Sequence, residues 1–504
     1  MEMKKFYITT PLYYVNDKPH IGHAYTTILA DVIARYKKMF NEKVFFLTGT
    51  DEHGQKVQEA ADKLNTNAKQ HVDKFHKNYI ELWNKLNIDY DKFIRTTDQS
   101  HQSKVKIMLQ NFWDKGEIYL SEYEGLYSVS EERFITEKEY SEGNFRQVTK
   151  IKEKNYFFRM SKYQSRLIEY IKQNPNFIMP DTRKNEILGF LRKPLADLCI
   201  SRPKSRLKWG IEIPFDKNYV TYVWFDALLN YITAIDWNQK EKNFNYWWPA
   251  DYHLIGKDII TTHAVYWITM LMAAKLPLPK HILAHGWWLM ENEKISKSVG
   301  NVINPIDLID YFGEDALRYF LMREMTLGQD SSFSFELFKK RFNDDLANDL
   351  GNVLNRVTIL IRKFCKNKVP SITNTDDTDK DMIDKIKSLH KVATRHIEKL
   401  NISQLIDDVM SVVRDVNKYL EIKQPWKTLK VDQSNYDGLN TLSISAEAIA
   451  QATKILYPVI PGKSTSILSI LGLNSKDFNN FEFGFLVNNN ISKHGPLFPR
   501  IEND

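Results

Sequence analysis

The chain has 504 residues, 43% of them hydrophobic and 26% charged, with a net charge of +7. That composition suits a soluble globular protein of about two to four domains, and its mild positive balance permits a polyanionic partner without establishing one. Two cysteines, Cys199 and Cys365, exclude a disulfide scaffold and a zinc site of four cysteines, and no apolar run is long enough to cross a membrane.

The opening stretch KKFYITTPLYYV is rich in β-branched and aromatic residues and reads as a strand, which NDKP ends. From His23 the apolar residues Ala24, Ile28, Leu29, Val32, Ile33 and Tyr36 recur at helical spacing. EKVFFLTGTDEHG then reads as a buried strand running into a polar loop. Strand, helix, strand predicts a right-handed parallel crossover, the unit of a doubly wound sheet. Residues 56–85 and 100–115 are helical by pattern, and 116–220 turn and alternate like a small β-rich insertion. WFDALLNYITAI and DYHLIGKDIITTHAVYWITMLMAAKL return to helix, strand and helix, and HILAHGWWLMENEKISKSVGN is a strand running into a second polar loop. From about 333 onward the pattern is mostly helical, over 334–365, 380–400, 403–420 and 443–458, with KNKVPSITNTDDTDKD as a polar linker.

Two constellations carry chemistry. His20, Gly22 and His23 stand where a helix begins, and a helix start offers unsatisfied N–H groups and a positive dipole end to an anion. Gly22 lets a guest approach the backbone, and two imidazoles could donate to phosphate oxygens. A metal would need a further ligand, for which Asp51, Glu52 and His53 are candidates, and helix capping with one packed histidine is the plainest alternative. Lys294 and Lys297, with Ser296 and Ser298, form the second constellation, on a loop followed by Gly300. Flexible point charges suit a triphosphate, although a basic loop is more often a solvated face.

Taken together, His-Ile-Gly-His and Lys-Ile-Ser-Lys-Ser resemble the two signatures of class I aminoacyl-tRNA synthetases, with Ile295 where methionine is usual. The blocks TTPLYYVNDKPHIGHAYTTILADVIARY, FLTGTDEHGQKV, ISRPKSRLKWGIEIP, YVWFDALLNYI, IGKDIITTHAVYW and DLANDLGNVLNR resemble the methionyl-tRNA synthetase family, in that family's order and over nearly the whole chain. The resemblance implies a Rossmann-type doubly wound parallel sheet with a β-rich connective insertion, followed by an all-α helical-bundle anticodon-binding domain. The implied domains are 1–115 and 221–290 (catalytic), 116–220 (insertion), 291–345 (lysine loop and stem contact) and 346–504 (anticodon binding).

The implied reaction is ATP-dependent ligation of methionine to tRNA(Met) through methionyl-adenylate, releasing AMP and pyrophosphate. Carried onto this chain, the resemblance assigns catalysis to His20, Gly22, His23, Lys294, Lys297 and Arg202. It assigns ATP to His20, His23, Gly256, Lys257, Asp258 and Lys297, with Mg²⁺ accompanying the nucleotide. Methionine falls to Leu12, Tyr14, Asp51, Trp224, Ala227, Leu228, Tyr231, His263 and Tyr266, where Leu228 replaces the proline of some members. Asn352, Arg356 and Trp426 match anticodon readers. Many members hold zinc in the insertion through clustered cysteines; no cysteine lies between 116 and 198, so no structural zinc is expected. The 504-residue length leaves no room for the oligonucleotide-binding domain of some members, and no secretory signal is evident. A cytoplasmic monomer, serving tRNA(Met) and its initiator form and independent of membranes, is therefore expected. Other class I synthetases fit less well, since an insertion of about 100 residues is short for an editing domain. A metallohydrolase on His20, His23 and Asp51, or a silent RNA-binding relative, are the rivals from other classes.

Overall fold

The computed structural model describes residues 3–16, 18–128, 133–135, 140–141, 148–290 and 304–502. They fall into two compact units: Met1–Ala30, Lys43–Asn84 and Asp89–Gly286 in the first, Asp31–Glu42, Lys85–Ile88 and Trp287–Asp504 in the second.

The first unit is built on a parallel sheet. The predicted opening strand is two strands, β1 (Lys5–Thr9) and β2 (Tyr13–Tyr14), interrupted at Thr10, Pro11 and Leu12. Helix α1 (Ile21–Met39) leads to β3 (Lys43–Asp51), and further helices flank β4 (Lys92–Arg95). β3 pairs with β1 through residues 43–47 and with β2 at Thr50 and Asp51, while β4 takes its other edge. Such strands are covered on both faces, which is why VFFLTGT reads as one buried apolar run rather than an alternation.

The expected β-rich insertion contains an antiparallel sheet of β5 (Ile118–Ser128), β6 (Arg133–Ile135), β7 (Val148–Phe158) and β9 (Leu198–Cys199). A smaller one joins β10 (Ser201–Pro203), β11 (Glu212–Ile213) and β12 (Asp216–Thr221). The stretch also holds two helices, Gln164–Gln173 and Asp181–Phe190, which its reading as β-rich overlooked. Between them, β8 (Ile178–Met179) joins the main sheet as a parallel partner of a later strand, at Ile282 and Leu283, so this part of 116–220 belongs to the larger sheet. β13 (Tyr252–Gly256) and β14 (His281–His285) complete that sheet, and β13 pairs with β1. β1 thus has β3 on one side and β13 on the other, and the winding reverses there. The carboxyl ends of strands flanking such a reversal border the crevice where open parallel sheets bind ligands.

Among its described residues the second unit has a two-stranded parallel ribbon, β15 (Trp288–Met290) with β16 (Ser331–Phe333), a single bridge between Lys368 and Asn490, and otherwise helices joined by loops. Helices Asp377–Glu398, Ile402–Lys423 and Tyr436–Leu456 pack on one another. The last is buried all round from Asn440 to Leu456, as a stripe-free run of Ala, Ser, Thr and Ile dictates, and it starts seven residues earlier than its periodicity suggested. The reading missed helices Pro305–Phe312, Glu314–Glu324, Pro425–Val431 and Pro461–Ile470. Arg318, fully buried, gathers part of this unit: it donates to Asp31 (2.6 Å) and to the carbonyls of Leu86, Pro458 and Val459. A guanidinium removed from water needs that many acceptors to offset its lost hydration.

Asp315, on helix Glu314–Glu324, accepts the backbone N–H of Lys463 in the first turn of Pro461–Ile470. Burial pushes its pKa up to about 6, although the Lys463 and Gly462 N–H groups and Arg318 pull the other way. A carboxyl with a raised folded-state pKa contributes stability that is complete below about pH 4 and is lost as pH climbs to about 6. Asp315→Asn should therefore flatten the fall in melting temperature over that window, whereas an unchanged pH profile would mean the group titrates normally.

Candidate functional site

The start of α1 shows what the two histidines do. The carbonyl of His20 accepts the N–H of Ala24 at 3.2 Å, which makes His20 the N-cap residue. Its Nδ1 accepts the N–H of Gly22 at 3.1 Å, and Nδ1 of His23 accepts the N–H of His20, also at 3.1 Å. This is a reciprocal capping box made of imidazoles, and it satisfies orphan donors at the helix start. A ring that accepts at Nδ1 carries its proton on Nε2, so each histidine keeps a donor on the edge away from the backbone. The ring centroids lie 3.8 Å apart. A Cβ on Gly22 would come within 2.9 Å of His20 Cε1, so glycine is what lets the box close. Burial, and then the neighbouring His20, hold the His23 imidazole well below the ordinary histidine range, so it stays neutral near pH 7.

Aromatic residues that sequence reasoning overlooked support this pair. The rings of Tyr13 and Tyr79 lie 5.0 and 5.6 Å from that of His23. The Tyr79 hydroxyl donates to the carbonyl of Tyr14, and Tyr13 shares a hydrogen bond with Thr27 on α1. Gly256, Lys257 and Asp258 follow at the end of β13, with Gly256 in register with His285 of β14. His285 donates from Nδ1 to the carbonyl of Gly286, so its Nε2 accepts from the Thr26 hydroxyl at 2.7 Å, tying β14 to α1.

The residues assigned to methionine gather at the same sheet end. Asp51 is buried at the end of β3, in register with Tyr14. Trp224, Ala227 and Leu228 lie on one short helix (Val223–Leu228), Tyr231 on the next, and His263 and Tyr266 on a π-helical segment, Thr262–Trp267. Tyr231 and His263 are bonded at 2.7 Å, and the rings of Trp224 and His263 are 6.3 Å apart. Burial lowers the His263 pKa to about 4, and its Nδ1 donates to the carbonyl of Ile259, so its Nε2 accepts from the Tyr231 hydroxyl. Leu12, Tyr14, Trp224 and Tyr266 are partly buried on the core that includes Leu228 and Tyr231. The result is an aromatic-walled patch in which Tyr231 and His263 are committed to each other.

Arg202 sits elsewhere than the histidine pair's helix. It lies on β10, nearly buried, 4.7 Å from the Tyr222 ring and donating to the carbonyl of Ser201. Tyr222 is the N-cap of the Trp224 helix, so Arg202 borders that helix. Lys294 and Lys297 lie outside the described residues.

A buried network joins the patch from below and was not foreseen. Asp226, between Trp224 and Ala227 in sequence, bonds His53 Nδ1 at 2.5 Å and His101 Nε2 at 2.8 Å, and His101 reaches Thr233. Burial pushes the Asp226 carboxyl up, but the two imidazoles pull it below the usual carboxylate range. His53 and Asp226 both stand inside the recognisable blocks. Their pairing across 173 residues has no local sequence signal.

In the second unit Asn352 and Arg356 lie one turn apart on helix Asn352–Phe364. The Arg356 guanidinium stacks 4.6 Å above the Trp426 ring and bonds Glu421 at 2.5 Å. Trp426 is at the start of Pro425–Val431, so the three residues proposed to read bases share helices that the fold brings together at one aromatic–cation pair. Among the described residues, the acidic group at metal-ligand spacing is Asp376, Asp379 and Asp437, and the Lys423 ammonium fills it, at 2.6, 2.9 and 2.5 Å.

Comparison with known proteins accounts for both units. The family of class I tRNA synthetases (M) matches residues 6–144 and 141–358, and the anticodon binding domain of methionyl tRNA ligase matches 369–488. A Halalkalibacterium halodurans protein named methionine–tRNA ligase is 43% identical over 525 aligned positions, covering 99% of this chain and 79% of its own. One of the same name from Clostridium acetobutylicum is 42% identical, covering 100% of this chain and 79% of its own. The Mycobacterium tuberculosis methionyl-tRNA synthetase in complex with methionyl-adenylate superposes with a TM-score of 0.93 at 37% identity, over 99% of this chain and 100% of that one.

The Asp226 network yields a stability test. Asp226→Asn keeps the shape but removes the charge that two imidazoles share, and should lower the unfolding free energy by about 3 kcal/mol in urea titrations. A loss below about 1 kcal/mol would mean the carboxylate does not hold the patch together.

Proposed function

The chain belongs to the methionyl-tRNA synthetases of class I, and we propose that the imidazole capping box at the start of α1 is what its adenylation chemistry turns on. The enzyme joins methionine to tRNA using ATP, through methionyl-adenylate. In the first step a carboxylate oxygen of methionine bonds to the α-phosphorus and the bond to the β-phosphate bridging oxygen breaks, releasing pyrophosphate. In the second, a hydroxyl of the terminal tRNA ribose attacks the methionyl carbonyl and AMP leaves.

The observation that carries the proposal is the pair of rings whose Nδ1 atoms accept backbone N–H groups. Each is left with an Nε2 proton, and neither ring has to reorient to donate it. Preorganised neutral donors at a helix N-terminus stabilise charge that grows on phosphate oxygens. Lys294 and Lys297 would hold the β- and γ-phosphates, and Gly256, Lys257 and Asp258 the nucleotide. Mg²⁺ arrives with the triphosphate as part of the substrate. Arg202, bordering the Trp224 helix, would act on the nucleotide from the insertion side.

Asp51 would take the methionine amino group, Leu12 would offer backbone contacts, and Tyr14 would meet the sulfur and form one wall. Trp224, Ala227, Leu228, Tyr231, His263 and Tyr266 would wall the thioether. A flexible apolar chain with a weak acceptor sulfur suits an aromatic-walled patch. Asn352, Arg356 and Trp426 would read single-stranded anticodon bases by stacking and edge bonds. The insertion needs no structural zinc: Cys199 is its one cysteine, and that thiol contacts Arg202. The domain division of 1–115 with 221–290, 116–220, 291–345 and 346–504 goes with this reading, as does a cytoplasmic monomer that charges elongator and initiator tRNA(Met). Among the described residues no helix is long and apolar enough to cross a membrane.

Pyrophosphate exchange tested with all twenty amino acids, on chelator-treated protein resupplied with Mg²⁺ alone, should respond to methionine only. Within that assay His23→Ala should cut the exchange rate on the order of 10²-fold, about 3 kcal/mol of transition-state stabilisation, with the methionine KM little changed. A loss under tenfold would reduce the histidines to a helix cap. Trp426→Ala should raise the tRNA KM for charging about tenfold and leave exchange within twofold, whereas equal damage to both would make Trp426 a packing residue.

A further inference from the structure

Lys423 is the last residue of helix Ile402–Lys423, and its side chain is nearly buried. An ammonium has three N–H donors. Here they meet three carboxylates: Asp376 Oδ2 at 2.6 Å, Asp379 Oδ1 at 2.9 Å and Asp437 Oδ1 at 2.5 Å. Asp376 and Asp379 are not loose surface acids. They form the capping box of helix Asp377–Glu398, in which Asp376 Oδ1 accepts the Asp379 N–H and Asp379 accepts the Asp376 N–H. Asp379 also accepts the Tyr419 hydroxyl at 2.6 Å, from the turn before Lys423. Asp437 stands in the first turn of helix Tyr436–Leu456. One cation therefore pins the end of one helix to the beginnings of two others. Burial alone would lower the Lys423 pKa, and the three carboxylates more than offset it.

The chain leaves this clamp at once toward the base-reading side. Gln424 adopts a left-handed conformation, φ 46° and ψ 53°, a strained choice for a residue with a Cβ. Pro425 is buried, and Trp426 follows at the start of the next helix, under the Arg356 guanidinium. That helix rests on the same support as the clamp. A Cβ on Gly438, next to Asp437, would come within 2.7 Å of Leu429 and of Thr428. So the residues before Trp426 are held by Lys423 and Asp437, and those after it lie against the turn that carries Asp437.

We propose that Lys423 is a positioning residue for base recognition: its three-carboxylate clamp fixes the direction in which Gln424, Pro425 and Trp426 leave the helix, and so presents the Trp426 ring to the anticodon. This rests on Trp426 reading the anticodon, as proposed above. The clamp acts through Trp426 and makes no contact with the tRNA.

The test is a double-mutant cycle on the full-length protein, with a tRNA(Met) transcript as probe. Lys423→Met should raise the tRNA KM for charging about tenfold while methionine-dependent pyrophosphate exchange stays within twofold. The Lys423→Met/Trp426→Ala double variant should be no worse than Trp426→Ala alone, because a clamp that works through the indole has nothing left to position. Multiplying effects would overturn the proposal, as would Lys423→Met charging at the parent KM while Trp426→Ala fails; both outcomes leave the anticodon reading intact. Trp426→Ala charging at the parent KM would sink that reading and the clamp's role with it. Should Lys423→Met not fold, Asp437→Asn takes its place in the cycle, with an expected rise of about threefold and the same criterion of non-multiplication.

Discussion

A helix start has donors that its own hydrogen bonds cannot use, and the candidate active site depends on how α1 disposes of them. His20 and His23 supply the acceptors at Nδ1, three residues apart, the spacing a capping box requires. Serine or aspartate could cap as well but would have no second, protonated nitrogen to offer. An imidazole has two chemically distinct edges, so the atom that holds the helix also decides which nitrogen carries the proton. Of the three alternatives that the sequence left open, a structural cap, a phosphate site and a metal site, the first is the arrangement seen, and the phosphate reading proposed above is compatible with it. Gly22 belongs to both, since a Cβ there would collide with His20.

The support behind the pair explains the neutrality of His23. Tyr13, Tyr79 and Trp83 make a buried aromatic group whose rings include a 5.7 Å stack between the tyrosines. A charged imidazolium against such a group, with a second imidazole 3.8 Å away, would lose hydration without gaining a counter-ion. The same reasoning holds for His253, His263 and His285, all buried and all with pKa values lowered by burial. In each, one ring nitrogen donates and the other accepts, so the neutral forms are specified by hydrogen bonding and not only by desolvation.

Much of this was legible where a local pattern carries it. Period-3.6 spacing located α1, and a continuous apolar run located β3. The motif blocks contain Trp224, Tyr231 and His263, whose side chains meet, and Asp51, which stands beside Tyr14. What escaped is what no window of sequence contains. β8 is two residues long, and it joins the parallel sheet only because Ile282 and Leu283 lie beside it. Asp226 reads as one more polar residue on a short helix until His53 and His101 arrive from 173 and 125 residues away. Helix Pro425–Val431 is too short for periodicity, and Lys423 looks like an ordinary basic C-terminus. Its carboxylate partners are 14, 44 and 47 residues distant, by subtraction of their positions.

The clamp at Lys423 and the box at His20 share a physical logic. In each, a pair of side chains three residues apart satisfies a helix start with one polar atom apiece. The remaining polar atoms are then fixed in space without further cost in side-chain freedom. At α1 the remaining atoms are Nε2 donors of the two rings. At helix Asp377–Glu398 they are Asp376 Oδ2 and Asp379 Oδ1, which bind Lys423. Capping orders a side chain whether or not it has a second task, so the entropy of fixing that second atom is already lost when the helix forms. On the reading proposed above, a histidine that meets a phosphate, or an acid that holds a lysine before a base-reading tryptophan, gains its preorganisation from secondary structure itself.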